Sequence, residues 1–487
     1  MKNIMKYLSV ILAAAFISSC KGGFMDINTN PNYPADADVA TQLPSGEIGV
    51  ASILGGDMEL VGGLWSQNYT QNSTSNQYNT TVNYTLSNAS YSRFWSIPYS
   101  VALPDLRNTA NLAQQAGLNN YYIAAEITSC FMYHILASWY ENIPYTESLQ
   151  GEANLYPAYD KGSDVNDALI KRIDAALAKQ ASAETSESVN PMGQSDMVFG
   201  GNIDKWIAFG KSLKLKLMMR NWTKYSSDIQ TLLNAGGFLT VDAGIFSFVD
   251  KENNSNPLYE NDRRKLNTRT NIAACSTLMK YLKANSDPRI AVFYNVNSVG
   301  AYNSLDAGNR PTGFNCSVAT LAPTDKVYFM SYAEVEFLQA EAWARLGNPT
   351  KAKSFYDEGV KAAFSRWILD DAVLDGSSFV AAGGAYEFDA TSQATMLKCI
   401  LTQKWIAATR CQAWDSYFDI TRTGIPALGK VLTTDANYVL GELTPVVDSS
   451  IPAADFPKRM LYPKASSDNN PNAPDVIELT VKQWWQK

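Results

Sequence analysis

Apolar residues recur along much of this chain with a helical period of about 3.6. Ser92–Ala116 and Asn120–Trp139 read as an antiparallel pair joined by a short turn at Gly117, and Val165–Leu177 and Ile203–Trp222 carry the same period. In the last of these, Trp206, Leu213 and Leu217 share a face while Lys214 and Lys216 point elsewhere. A first helix is expected over about Gly46–Trp65 despite its glycines, another over Thr270–Lys283 that stops before Asp287 and Pro288, and a late one over Ala394–Asp415. The clearest hairpin spans Tyr332–Trp367. There Leu338, Ala342, Leu346, Ala352, Phe355 and Ala362 fall where a tetratricopeptide repeat puts its packing residues, and Gly347 with Pro349 makes the turn.

Between these segments the apolar period disappears. Residues 66–92 are mostly Asn, Ser, Thr, Gln and Tyr, with rings at Tyr69, Tyr78, Tyr84 and Tyr91, and no charged residue occurs from Leu60 through Ser92. Such a stretch reads as loop. Gly236–Asn267 is a second loop with a short strand at Phe246–Val249, Asn295–Thr324 is a third, and the C-terminal end is again loop-rich.

The N-terminus carries a different signal. Lys2 and Lys6 precede an apolar run from Tyr7 to Ile17, which is short of the roughly 20 residues a membrane span needs and has the length of a signal-peptide core. It ends in Ile17, Ser18, Ser19 and Cys20, which resembles a bacterial lipobox whose cysteine becomes the acylated first residue. On this reading residues 1–19 are a lipoprotein signal peptide, 20–42 a lipidated tether with Asn28, Asn30, Pro31, Asn32 and Pro34, and 43–487 a single domain. The lipid on Cys20 is then the only membrane attachment. The remaining cysteines, Cys130, Cys275, Cys316, Cys399 and Cys411, lack CxxC spacing and read as buried small hydrophobes.

Composition removes several functions. The 487 residues hold 40 Lys+Arg against 47 Asp+Glu, so the net charge of −7 argues against a nucleic-acid partner. The one histidine, His134, sits in an apolar helix and cannot build a multi-His metal site; no metal or cofactor is implied. Gly210, Lys211 and Ser212 lack the glycine a phosphate loop needs five residues earlier, where Lys205 sits. No pair of carboxylates stands out for glycoside hydrolysis. With 26 Tyr, 11 Trp and only 18% charged residues, the balance suits stacking and neutral hydrogen bonding.

The chain as a whole resembles the SusD/RagB family of outer-membrane nutrient-binding lipoproteins of Bacteroidetes. The resemblance is carried by Phe24–Pro31 after the lipobox, Tyr140–Glu147 at a helix end, Trp206–Arg220, the Asp287-Pro288-Arg289 turn, Met330–Gly347, and the late block Lys404, Trp405, Trp414, Arg422, Thr423 and Gly424. It implies a mostly α fold with tetratricopeptide-like hairpins and a loop-rich ligand face. It also implies a non-catalytic binding subunit, partnered by a SusC-like TonB-dependent transporter, for glycans or, in some members, peptides. Within that frame the uncharged segment offers Trp65, Asn76, Tyr78 and Tyr84 as ligand contacts, and loops 250–270 and 295–316 offer Tyr259, Arg269, Tyr302, Arg310 and Phe314. Sugar C–H faces pack on rings, and neutral amides bind hydroxyls without burying a charge. A peptide-binding importer subunit, a surface glycan hydrolase and a purely structural lid are the alternatives.

Overall fold

A computed structural model describes residues 38–268, 270–453 and 455–487; the lipobox with Cys20, most of the tether and Arg269 lie outside the described residues. Helix α1, Val39–Ile53, starts within the segment read as tether, because Val39, Gln42 and Leu43 are already buried. A π-helical turn, Leu54–Met58, carries the chain into α2, Glu59–Trp65. Val39–Trp65 is long and apolar enough to cross a membrane, yet 83% of its qualifying 18-residue window, of mean hydropathy 1.2, is buried inside the fold.

Its glycines are contact points rather than helix breakers. A Cβ on Gly46 would lie 2.6 Å from Leu106 Cγ, and one on Gly62 would lie 2.3 Å from the Cα and N of Trp414. Glycine costs about 1 kcal/mol of helix propensity there, and close packing of one backbone on another offsets it.

The sequence-predicted hairpin is present as α3, Leu103–Ala116, and α4, Asn119–Tyr140, with Gly117 left-handed at φ 71° between them. The expected start at Ser92 becomes a short helix, Arg93–Ile97, and a π-turn at Pro98–Ala102. Next come α5, Gly162–Leu177, and α6, Gln180–Val189, followed by α7, Ile203–Arg220, and α8, Trp222–Ala235. Two of these were illegible in the apolar pattern: α6 buries only Ala183 and α8 only Ile229 and Leu233. The boundary between α7 and α8 is set by Asn221, whose side chain accepts from Lys224 N and caps the second helix.

Strands are few and short. β1, Tyr69–Gln71, pairs antiparallel with β3, Ile272–Ala274, in the register Tyr69–Ala274. β2, Ala243–Ile245, pairs with β4, Val327–Met330. The strand expected at Phe246–Val249 thus lies a few residues earlier, where Ala243, Gly244 and Ile245 are all buried. The helix expected from Thr270 begins only at Ser276, as α9, Ser276–Ala284, because β3 takes the preceding residues.

The hairpin of α10, Tyr332–Arg345, and α11, Pro349–Ser365, turns on left-handed Gly347, with Asn348 capping α11 by accepting from Lys351 N. Leu338, Ala342 and Ala352 are buried; Leu346, Phe355 and Ala362 are half-buried against the core. The late helix is interrupted into α12, Gln393–Ala407, and α13, Ala413–Thr423.

A buried ionic network joins α7, α10, α12 and α13. Lys216 Nζ lies 2.6 Å from Glu334 and 2.5 Å from Asp415, and Lys404 Nζ lies 3.3 Å from Asp415 and 2.5 Å from Asp419. Arg422 grips Glu341 through both carboxylate oxygens at 2.7 Å. Burial pushes the Glu341 carboxyl up, but Arg422 and Arg345 outweigh it and hold it at about 2.

Glu59 is the opposite case. Burial raises its carboxyl to about 8, only partly opposed by the Ala413 N–H that donates to Oε2 at 2.8 Å and by the Cys411 N–H. The folded pKa lies above the ordinary 4.5, so this group stabilises the fold below about 4.5 and that contribution is lost as pH rises through about 8. Stability is expected to fall over that window by up to about 1.4 kcal/mol per pH unit through this group. Glu59→Gln should flatten the slope in denaturation curves taken from acid to alkaline pH; an unchanged slope would reject the assignment.

Candidate functional site

The uncharged segment divides into two parts with different jobs. Residues 66–72 are buried and tied to the core through side chains rather than offered to a ligand. Gln67 Nε2 donates to Thr444 O at 2.6 Å while its Oε1 accepts from the Thr277 hydroxyl at 2.6 Å, and Asn68 Nδ2 donates to Thr409 at 2.8 Å. An unpaired polar group here would cost about 1–3 kcal/mol, which accounts for this dense pairing.

From Ser73 onward the chain reaches the surface. Gln71 Oε1 accepts from Tyr78 N at 2.6 Å, and the Tyr78 hydroxyl donates to Asp262 at 2.7 Å, linking the loop to the π-helical turn Tyr259–Lys265. Asp262 is fully buried, and also accepts from Asn271 at 2.9 Å and from Arg263 at 2.5 Å. Burial, with the Asp262 carboxylate beside it, pushes the Tyr78 phenol far above its usual range, so it stays protonated and donating.

These two segments and the end of the π-turn after α1 enclose a cleft of about 520 Å³. That volume falls within the range of about 300–1,000 Å³ found for ligand pockets. Its walls include Tyr78, Tyr91, Gln77, Thr80, Asn261 and Lys265. Arg93 and Asp57 face each other on one side at 3.9 Å, with Arg93 half exposed. Burial raises the Asp57 carboxyl, with Arg93 and Lys265 opposing it. Tyr91, left-handed at φ 52°, is fixed by a 2.6 Å hydrogen bond between its hydroxyl and that of Thr81.

The sequence-predicted residues scatter around this cleft. Tyr78 lines it. Asn76 and Arg310 meet each other, with Arg310 Nη2 also donating to Ser75 O at 2.8 Å, so the 295–324 loop clamps the uncharged loop. Tyr259 stands on the Tyr259–Lys265 turn with the Arg264 guanidinium 5.5 Å from its ring. Tyr302 accepts from Lys283 through its carbonyl at 2.5 Å, and Phe314 packs against Ala273, Leu305 and Cys316.

Trp65 and Tyr84 are corrected outright. Trp65 is 0% exposed, donates Nε1–H to Thr81 O at 3.0 Å, and meets Tyr84, Trp139 and Tyr417 edge-on. Tyr84 is 4% exposed and also packs on Phe456. Neither ring has a face free for a sugar; both support the loop from beneath.

The residues missed are Asp57, Arg93, Asn261 and Lys265. Asp57 and Arg93 lie just outside the two ends of the uncharged run, so the run's limits were the available signal. Asn261 and Lys265 carry no such mark.

The cleft has one carboxylate in its wall, Asp57, where glycoside hydrolysis uses two. His134 lies in the core, and burial together with Arg220 and Lys216 pushes its pKa well down, so it is neutral. Burial also lifts the thiols of Cys130, Cys275 and Cys316 to about 12, far from nucleophilic. Amides, hydroxyls, two tyrosines and one ion pair make up the polar wall of the cleft.

A family model described as SusD-like, starch-binding associating with outer membrane, matches residues 59–463. The chain belongs to the SusD-like family. Three solved structures share its fold. A SusD/RagB-family protein of Bacteroides thetaiotaomicron is 18% identical with a TM-score of 0.74, covering 92% of this chain and 99% of its own. A chitin-binding SusD homolog of Flavobacterium johnsoniae is 19% identical at 0.72, covering 90% and 98%. A SusD homolog of Bacteroides uniformis is 20% identical at 0.70, covering 93% and 100%. Among curated proteins, none matches this sequence. This SusD-like chain is a nutrient-binding protein of the outer membrane and not an enzyme. Its mostly α architecture is that of the family.

Proposed function

We propose that this SusD-like protein is a lipid-anchored subunit, acylated at Cys20 and displayed on the cell surface. It captures glycan oligomers in the cleft between the Gln77–Arg93 segment and the Tyr259–Leu266 turn. It then passes them to a partner TonB-dependent transporter on which it sits. The observation that supports this reading best is the cleft wall itself: neutral Gln77, Thr80 and Asn261 beside the Asp57–Arg93 pair. A sugar hydroxyl both donates and accepts, so a carboxylate and a guanidinium set side by side serve one ring.

Affinity electrophoresis and calorimetry against a panel of polysaccharides and peptides test it. Arg93→Ala is expected to weaken binding of the recognised glycan by about 1–3 kcal/mol, as loss of a charged hydrogen bond would. Undiminished affinity would remove this cleft from the reading. Peptide binding in place of glycan would favour the peptide importer, and turnover of a bound oligomer by the pure protein would overturn the binding role.

A further inference from the structure

A second cavity, of about 390 Å³, lies against α12 and shares no lining residue with the cleft just described. Three tyrosines stand in its wall. Tyr281 and Tyr386 are parallel within 4°, their centroids 6.3 Å apart. Tyr386 is held from behind, its hydroxyl donating to Asp287 at 2.6 Å, and Tyr356 donates to the Tyr386 carbonyl at 2.8 Å. These rings are therefore pre-set rather than free to collapse into the space.

Two polar groups in the wall are left open. Gln403 is 2% exposed, and its Oε1 accepts from Arg289 Nη2 at 3.1 Å, Arg289 being fixed in turn by Asp287. With that oxygen committed, the carboxamide nitrogen of Gln403, a residue of the cavity lining, has no acceptor among the described residues. The Thr402 side chain, 8% exposed, likewise has no hydrogen-bond partner among them. Glu387, Glu442 and Lys398 complete the polar lining.

We propose that this cavity is a second, independent sugar-binding site, which takes a neutral mono- or disaccharide unit. A pyranose C–H face rests on the half-buried Tyr281 ring, which Tyr386 backs, a hydroxyl accepts from Gln403, and another donates to Glu442. The chemistry selects this class. An apolar ligand would bury the Gln403 donor unpaired. Two carboxylates against one ammonium disfavour an anionic ligand. A cationic side chain would meet the two carboxylates but offers the Gln403 N–H no acceptor. A sugar hydroxyl can satisfy donor and acceptor alike.

The test uses the full mature chain with cellobiose, maltose and N,N′-diacetylchitobiose, followed by calorimetry and by crystals soaked in each. The background is Arg93→Ala, so that a failed first cleft and a failed second cavity give separate results. At least one disaccharide is expected to bind that protein, with density against Tyr281. Ala394→Trp, at an exposed position of the cavity lining, should then weaken that binding at least about tenfold without moving the thermal midpoint. Polysaccharide binding by the first cleft should be unchanged in Ala394→Trp alone. No binding by any of the three, binding that survives Ala394→Trp, or occupancy by a Lys- or Arg-containing tripeptide instead would each overturn the proposal.

Discussion

Lys216→Met is expected to destabilise the fold by about 3–5 kcal/mol, read as a lower denaturant midpoint at unchanged m-value. Lys216 Nζ is the centre of a charge cluster with almost no solvent access, 2.6 Å from Glu334 and 2.5 Å from Asp415. Methionine replaces its volume and removes its charge. Lys404 then remains as the nearby cation, 3.3 Å from Asp415 but 3.9 Å from Glu334 and already shared with Asp419. The loss measures two under-compensated buried carboxylates, with Glu334 left chiefly to the Gln412 amide at 2.7 Å, more than one missing attraction. Accordingly Lys216→Met with Glu334→Gln should recover part of it, because the second change removes one stranded charge. A double variant as unstable as the sum of its parts would show that the groups act separately.

Trp65→Ala should cost about 3–5 kcal/mol as well, through a different mechanism. Its indole is enclosed by Trp139, Tyr417 and Tyr84, and its N–H holds the Thr81 carbonyl. Truncation opens a large void beneath the ligand loop and frees Thr81, the residue that fixes Tyr91. Trp65→Phe retains most of the ring volume and loses the hydrogen bond, so it should cost only about 1–2 kcal/mol. Were Trp65 instead a stacking platform for ligand, Trp65→Ala would lower affinity and leave the denaturation midpoint in place. The two outcomes separate cleanly.

The difference between these positions explains what the sequence could and could not reveal. Helices with an apolar face, such as α3 and α5, were legible because burial on one side imposes period. So was the family, and the structure explains why its motifs are recognisable. Trp206–Arg220 contains Lys216, Met330–Gly347 contains Glu334 and Glu341, and the late block contains Lys404 and Arg422. These are members or neighbours of one buried network, where any unpaired charge is penalised heavily. The quoted motifs therefore report the scaffold and carry little about the ligand.

The site was less legible for the complementary reason. Composition marked 60–92 as unusual but could not distinguish a polar residue that pairs in the core from one that faces solvent. Gln67 and Gln77 look alike in sequence. One is locked to Thr277 and Thr444, and the other lines the cleft. Likewise Tyr84 and Tyr91 are both left-handed tyrosines in the same loop, and only the second reaches the cleft. Tertiary contacts from residues hundreds of positions away decide these fates, and local pattern holds no trace of them.

Gly62 sits with its Cα directly against the backbone of Trp414, leaving no room even for a methyl group. Trp414 belongs to α13, the helix that also carries Asp415 and Asp419 of the charge network. The α2 side of the cleft, with Leu60 in its wall, is thereby clamped main chain to main chain onto the helix that anchors the buried charge network. That side is an anvil. The opposing segment is held differently, by hydrogen bonds from dispersed partners: Tyr78 to Asp262, Arg310 to Ser75, and Ser450 and Lys464 to the Asn83 and Asn88 carbonyls.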